Sequence, residues 1–190
     1  SGETLVADAV VLALGPWTSR AARGLRLPAV RGLKGYSVTL AGADVPAHAL
    51  FMDYRTADGR ALEPEIIPRP DGEVAVDGMA DRQPLPESAE GVEVSEAACA
   101  VLARAAGQVA AILAGATVTR RQACYRPVTD DGLPLIGPVP GVAAAYVATG
   151  HGPWGMLNAP ATGLALAELI AGGVAKVVDL RAFDPARFRA

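Results

Sequence analysis

From Gly132 to Ala167 no residue carries a formal charge, and this stretch restricts the fold more than any other. By length alone it would cross a bilayer. Gly137, Pro138, Pro140, Gly141, Gly150, Gly152, Pro153 and Gly155 cut it into short pieces, whose backbone groups lipid would leave unpaired. It therefore reads as several small buried elements of a globular domain. Leu135-Ile136 and Ala143 to Thr149 are expected strands, and a helix from about Trp154 to Ile170 closes the core. Leu157, Ala161, Leu164 and Ala165 form the helix's apolar stripe, and Gly172-Gly173 mark its end.

The rest of the chain is read by the same punctuation. Ala9 to Leu14, bounded by Gly15-Pro16, has the pattern of a strand buried on both faces, followed by a short helix from Trp17 to Arg23. Gly35 to Leu40, Ala49 to Tyr54, Leu62 to Pro68 and Glu73 to Asp77 are short segments set between turns such as Asp58-Gly59 and Asp71-Gly72, the pattern of an antiparallel meander. Ser95 is placed to cap an Ala-rich stretch that makes one long or two short helices. Ala116 to Pro127 returns to strand character before the Asp130-Asp131-Gly132 turn. Strands, then helices, then strands indicate an α+β arrangement rather than a repeating βαβ series.

Composition narrows the function classes. With 17 Lys and Arg against 20 Asp and Glu, and no basic run, the electrostatic footprint of a nucleic-acid binder is missing. Cys99 and Cys124 have neither metal-ligand nor disulfide-framework spacing, so no metal is expected and a reducing, cytoplasmic setting is the default. The usual markers of a serine hydrolase, a P-loop ATPase and a zinc enzyme do not occur. The opening Ser1-Gly2-Glu3-Thr4 has neither an initiator Met nor a secretory signal, as expected of a piece of something longer.

Gly150-His151-Gly152-Pro153-Trp154-Gly155 follows an expected strand, opens an expected helix and matches the dinucleotide pattern G-x-G-x-x-G. Val174 to Val178, ending at Asp179, could serve as the second strand of such a unit. Too little chain follows it for a complete nucleotide-binding fold. Two readings remain: a glycine turn and helix start that receive an anionic or electron-rich group, or a connection that needs glycine only for its backbone angles.

The run Tyr125-Arg126-Pro127-Val128-Thr129-Asp130-Asp131-Gly132-Leu133-Pro134-Leu135-Ile136-Gly137, then Tyr146 to Gly155 and Asn158-Ala159-Pro160-Ala161-Thr162-Gly163, resembles the carboxy-terminal signature of FAD-dependent oxidoreductases of the D-amino-acid oxidase, glycine oxidase and sarcosine oxidase family. Ala9 to Trp17 resembles that family's late strand and Ala-x-Gly-x-Trp turn. Gly35-Tyr36-Ser37 and Pro64 to Gly72 resemble the substrate-domain sheet of an uncharacterised FAD-dependent branch. The resemblance implies an α/β flavoprotein fragment whose amino-terminal G-x-G-x-x-G half is missing. Residues 1–30 would be the distal part of the FAD-binding domain, 31–125 a substrate-binding domain with a mixed or antiparallel sheet, and 126–190 the return to the FAD-binding domain.

Carried over by residue, the resemblance places noncovalent FAD beside Gly15, Trp17, Gly150, His151, Gly152, Pro153, Trp154, Gly155, Met156 and Leu157. Arg126, His151 and Trp154 become the catalytic candidates. Arg126 suits a substrate carboxylate through its two-donor fork, or else it orders the turn by pairing with Asp130 or Asp131. Where several family members carry an Arg in the loop, this sequence has Pro153 and Trp154, which shifts charge stabilisation to the helix end and to His151. Trp17 either packs beside the cofactor or is a plain buried Trp, and Tyr36 and Tyr125 either border a substrate pocket or belong to the core. His48 is expected in solvent. The implied activity is hydride transfer to the flavin from a C–N bond of an amino acid, N-substituted glycine or related amine, with the fragment alone inactive. The partners would be a small amine substrate and the missing half of the same protein, with neither nucleic acid nor membrane. The alternatives are a noncatalytic binding or assembly module, or a flavin enzyme acting on a hydroxy acid.

Overall fold

A computed structural model describes residues 2–188. In chain order its elements are β1 (Val10–Leu12), α1 (Thr18–Ala21), β2 (Arg31–Ala41), β3 (Leu50–Phe51), β4 (Tyr54–Arg55), β5 (Ala61–Leu62), β6 (Glu65–Pro68), β7 (Val74–Asp81), α2 (Glu96–Val109), β8 (Thr117–Val128), β9 (Leu135–Pro138), β10 (Ala145–Thr149) and α3 (Gly155–Gly172). Contacts divide the chain into two compact units, residues 1–33 with 126–190, and residues 34–125. The architecture is mixed α/β with antiparallel pairing dominant.

In the first unit the sheet order is β1-β10-β9. β10 pairs antiparallel with β9, Val147 opposite Gly137, and parallel with β1, Val147 opposite Leu12. Val30, Leu135, Val139 and Val147 are the centre of its core, with Leu12, Leu25 and Leu27 packed around them. β1 departs from expectation. It is an edge strand, and Val10 and Val11 are 52% and 41% exposed rather than buried on both faces. The physical reason is that only β10 pairs with it among the described residues.

α3 also corrects the sequence reading. Its buried residues are Thr162, Ala165 and Leu166, whereas Leu157, Ala161 and Leu164 face solvent. Only Ala165 of the expected stripe is inside, because the helix packs through a face rotated toward Thr162, whose hydroxyl has a partner in His151. Gly173 ends the helix in the left-handed conformation (φ 75°), as expected of that position. Val174 to Val178 is not a strand but a series of bends leading to short 3₁₀ turns.

In the second unit the sheet order is β3-β6-β7-β2-β8, so the connections are not those of a simple meander. Ala49 to Tyr54 and Leu62 to Pro68 each divide into two strands. β4 and β5 form a separate hairpin, pairing Tyr54 with Leu62 around the Asp58-Gly59 tip. The breaks fall at Met52-Asp53 and Glu63-Pro64. At the second, Gly78 is indispensable: a Cβ there would lie 2.0 Å from the Glu63 carbonyl oxygen. α2 lays Cys99, Leu102 and Ala106 on Val38, Leu40, Ile66, Val74 and Val76 of the sheet. Ser95 caps it as expected, its hydroxyl accepting from the Ala98 amide at 3.2 Å. No described helix is long and apolar enough to cross a membrane.

Candidate functional site

The first unit contains the tripeptide Gly-Pro-Trp twice, at 15–17 and 152–154, and both copies fold into the same device. Each is a single 3₁₀ turn opening a helix, with proline at the start where its missing N–H costs nothing. The Trp17 and Trp154 amides each donate 3.1 Å back to the residue before the glycine, Leu14 and His151. Gly15 and Gly152 share a left-handed φ of 54° and 56°. The turns follow the carboxyl ends of β1 and β10, neighbouring parallel strands, where open α/β sheets receive ligands. The sequence reading took each turn separately and missed that they are twins.

These turns bring together most of the expected residues. Cβ atoms built on Gly15 or Gly152 would meet nothing within 4 Å, so a ligand could reach the backbone at both. Gly150 (φ 81°) serves packing instead, since a Cβ there would lie 2.9 Å from Thr129 Cγ2. No side chain caps α3, which leaves the amides of Gly155, Met156 and Leu157 at a helix start with its positive dipole end. Trp154, Met156 and Leu157 project into solvent, Met156 at 94% exposed, while Trp17 is half-buried. Asn158 Nδ2 donates to the Trp154 carbonyl at 3.0 Å, fastening the first turn of the helix.

His151 is half-buried, with Nε2 3.0 Å from the buried Thr162 hydroxyl. Burial alone pushes its pKa below the ordinary histidine value. The imidazole is therefore neutral at pH 7, and positive charge in the loop comes from backbone amides rather than from this ring. Thr162 is one residue the sequence reading overlooked. Thr18 and Thr149 are the others: both are buried, and both hydroxyls donate to the Gly15 carbonyl, at 2.7 and 3.0 Å.

Arg126 stands on β8, three residues before the Thr129 that packs on Gly150, and is half-buried. The carboxylates considered as its alternative partners have other arginines: Asp130 pairs with Arg31 at 2.6 Å and Asp131 with Arg187 at 2.7 Å. Tyr36 and Tyr125 lie in the second unit as core residues, their hydroxyls bonded to Asp81 and to the Pro84 carbonyl. His48 is in an exposed loop. The arrangement in the first unit can seat a flat, electron-rich group against two glycine faces and a helix start.

Comparison with known proteins gives the following. Residues 1–169 match the family described as FAD dependent oxidoreductase (DAO). A Schizosaccharomyces pombe protein named "Putative oxidoreductase C1F5.03c" is 33% identical over 187 residues, 96% of this chain and 47% of the relative. Glycine oxidase of Pseudomonas putida is 31% identical over 95% of the chain and 46% of its own length. The crystal structure of glycine oxidase from Geobacillus kaustophilus superposes with a TM-score of 0.83 at 27% identity, over 100% of this chain and 48% of that one. The chain spans about half the length of these proteins.

Proposed function

Because the chain belongs to the DAO family of FAD-dependent oxidoreductases, we propose that the full-length protein oxidises a C–N bond of an amino acid, an N-substituted glycine or a related amine. The observation that carries this reading is the pair of Gly-Pro-Trp turns at the ends of two parallel strands, one of them opening an uncapped helix. The open faces of Gly15 and Gly152 fit a flat ring, and the residues that would hold noncovalent FAD are Gly15, Trp17 and Gly150 to Leu157. FAD, when bound, supplies the two-electron acceptor. The first-turn amides of α3 would donate to an electron-rich edge without reorganising, which is where preorganised donors matter most. His151 stays neutral, so it holds the loop through Thr162 rather than adding charge. Trp154, largely exposed beside these amides, would exclude water when covered.

Arg126 would bind the substrate carboxylate, where a planar fork gives two parallel bonds and fixes orientation. Arg126→Lys in the full-length protein is expected to raise KM for an acidic substrate about tenfold or more, the scale of one lost charge-assisted bond. An unchanged KM removes Arg126 from the site. The free thiols of Cys99 and Cys124 fit the cytoplasm, and the chain by itself is expected to be inactive.

The test of the whole reading is the visible spectrum of the full-length protein after desalting, followed by anaerobic reduction with a panel of amines and detection of released ammonia. Flavin bands bleached by an amine support it. Reduction by hydroxy acids alone redirects the substrate class, and a bound flavin that no donor reduces supports a binding module.

A further inference from the structure

We propose that the hydroxyls of Thr18 and Thr149 lock the two Gly-Pro-Trp turns into one preformed cradle, making both threonines positioning residues for the cofactor. This rests on the reading of the turns as cofactor-binding. The Gly15-Pro16 peptide has a single polar group, the Gly15 carbonyl, because proline has no N–H. That carbonyl accepts the Thr18 backbone N–H that closes the turn, and the hydroxyls of Thr18 and Thr149 also reach it, at 2.7 and 3.0 Å. The Thr18 hydroxyl also lies within hydrogen-bond distance of the Thr149 oxygen, at 3.3 Å, while the Thr149 proton goes to the carbonyl.

The two bonds differ in what they hold. The Thr18 bond is local, reaching back three residues to shape the first turn. The Thr149 bond runs from the end of β10, immediately before Gly150, to the first turn, and so ties one turn to the other. The β1–β10 ladder pairs only Val10 to Leu12, and Ser19 anchors α1 to Val30 rather than to the second turn. With its carbonyl turned inward, Gly15 keeps the opposite face free, at a φ that only glycine adopts without strain. The cradle is thus held open by groups that need not touch the ligand, which lowers the ordering cost of binding.

The experiment uses the full-length protein containing this chain, with FAD affinity read by quenching of flavin fluorescence and backbone mobility by amide exchange of the FAD-free form. Thr149→Val keeps the shape and removes the donor. The expected result is a Kd for FAD raised about tenfold, the scale of one buried hydrogen bond, with faster exchange at residues 14–18, in the turn that was not altered. Thr149→Ser is expected to restore both. Should Thr149→Val fail to fold, Thr149→Ala removes the same donor with a smaller side chain and is read the same way, through weakened FAD binding and faster exchange at residues 14–18. Wild-type FAD binding together with unchanged Kd and exchange in the Val variant overturns the lock alone. A wild-type protein that binds no FAD overturns the cofactor reading and the cradle with it.

Discussion

Lys34 is only 8% exposed, yet among the described residues it has no ion pair. Its ammonium lies over the rings of Tyr36 and Tyr125, 5.5 and 5.7 Å from their centres, an arrangement that partly replaces lost hydration. Asp81, its register partner on β7, accepts from the Tyr36 hydroxyl at 2.9 Å through Oδ2, while its buried Oδ1 has no hydrogen-bond partner. Desolvation first, and then the hydrogen bond to Asp81, push the Tyr36 pKa up to about 12. Folding therefore favours the protonated phenol. The stability it contributes is complete below the unfolded tyrosine pKa of about 10 and is lost as pH rises toward about 12. Tyr36→Phe is expected to cost about 1–3 kcal/mol at pH 7 and to flatten the alkaline limb of a pH-stability curve followed by denaturant unfolding. His151 has the opposite sign. Its lowered pKa makes the neutral ring the folded form, so its contribution is complete above the ordinary histidine value and drains as pH falls below it. The expected inflection in FAD affinity lies on the acid side of about 6.5, and His151→Asn should abolish it.

At the scale of elements, what the sequence made legible was type and order, and what it hid was which face goes inside. The glycine pair at 172–173 and the apolar content announce α3, but the spacing points to a stripe through Leu157, Ala161, Leu164 and Ala165, of which only Ala165 is inside. Burial instead follows Thr162, because a hydroxyl with a histidine partner can enter a core that an apolarity count would deny it. The apolar run of β1 was equally visible, and its exposure depends on neighbours that no local pattern encodes. The twin turns were fully written in the sequence, and only their hydrogen bonds made the repeat meaningful. The 129–133 turn teaches the same lesson across long separation. Arg187, from a 3₁₀ turn near the carboxyl end, donates to both Asp131 carboxylate oxygens at 2.7 and 3.0 Å and to the Leu133 carbonyl at 2.9 Å. That guanidinium holds the Asp131 carboxyl well below the usual carboxylate range. The stability involved is present above about pH 4 and lost as pH falls through the depressed value. Arg187→Ala is expected to cost about 1–2 kcal/mol and to make acid unfolding begin less steeply, measured by far-ultraviolet circular dichroism against pH.

For the whole molecule, the question is whether these residues suffice as a soluble particle. β1 is an edge strand in parallel pairing with Val10 and Val11 open, and parallel strands are ordinarily covered on both faces. On α3, Leu157 is 74% exposed, close in sequence to exposed Trp154 and Met156. Unpaired strand edges and clustered exposed apolar groups drive self-association. The relatives and the glycine oxidase structure compared above are about twice its length, and on the reading proposed above the rest of a full-length protein would cover these faces. The chain expressed by itself is therefore expected to self-associate and bind a hydrophobic dye, whereas the full-length protein should be monodisperse by light scattering and bind little. Val11→Lys and Leu157→Lys distinguish this from general instability. Each should reduce association of the isolated chain while leaving its unfolding midpoint nearly unchanged, since both side chains already face water. An isolated chain that stays monodisperse and dye-free would mean that these faces need no cover, and would weaken the expectation that the two halves depend on each other.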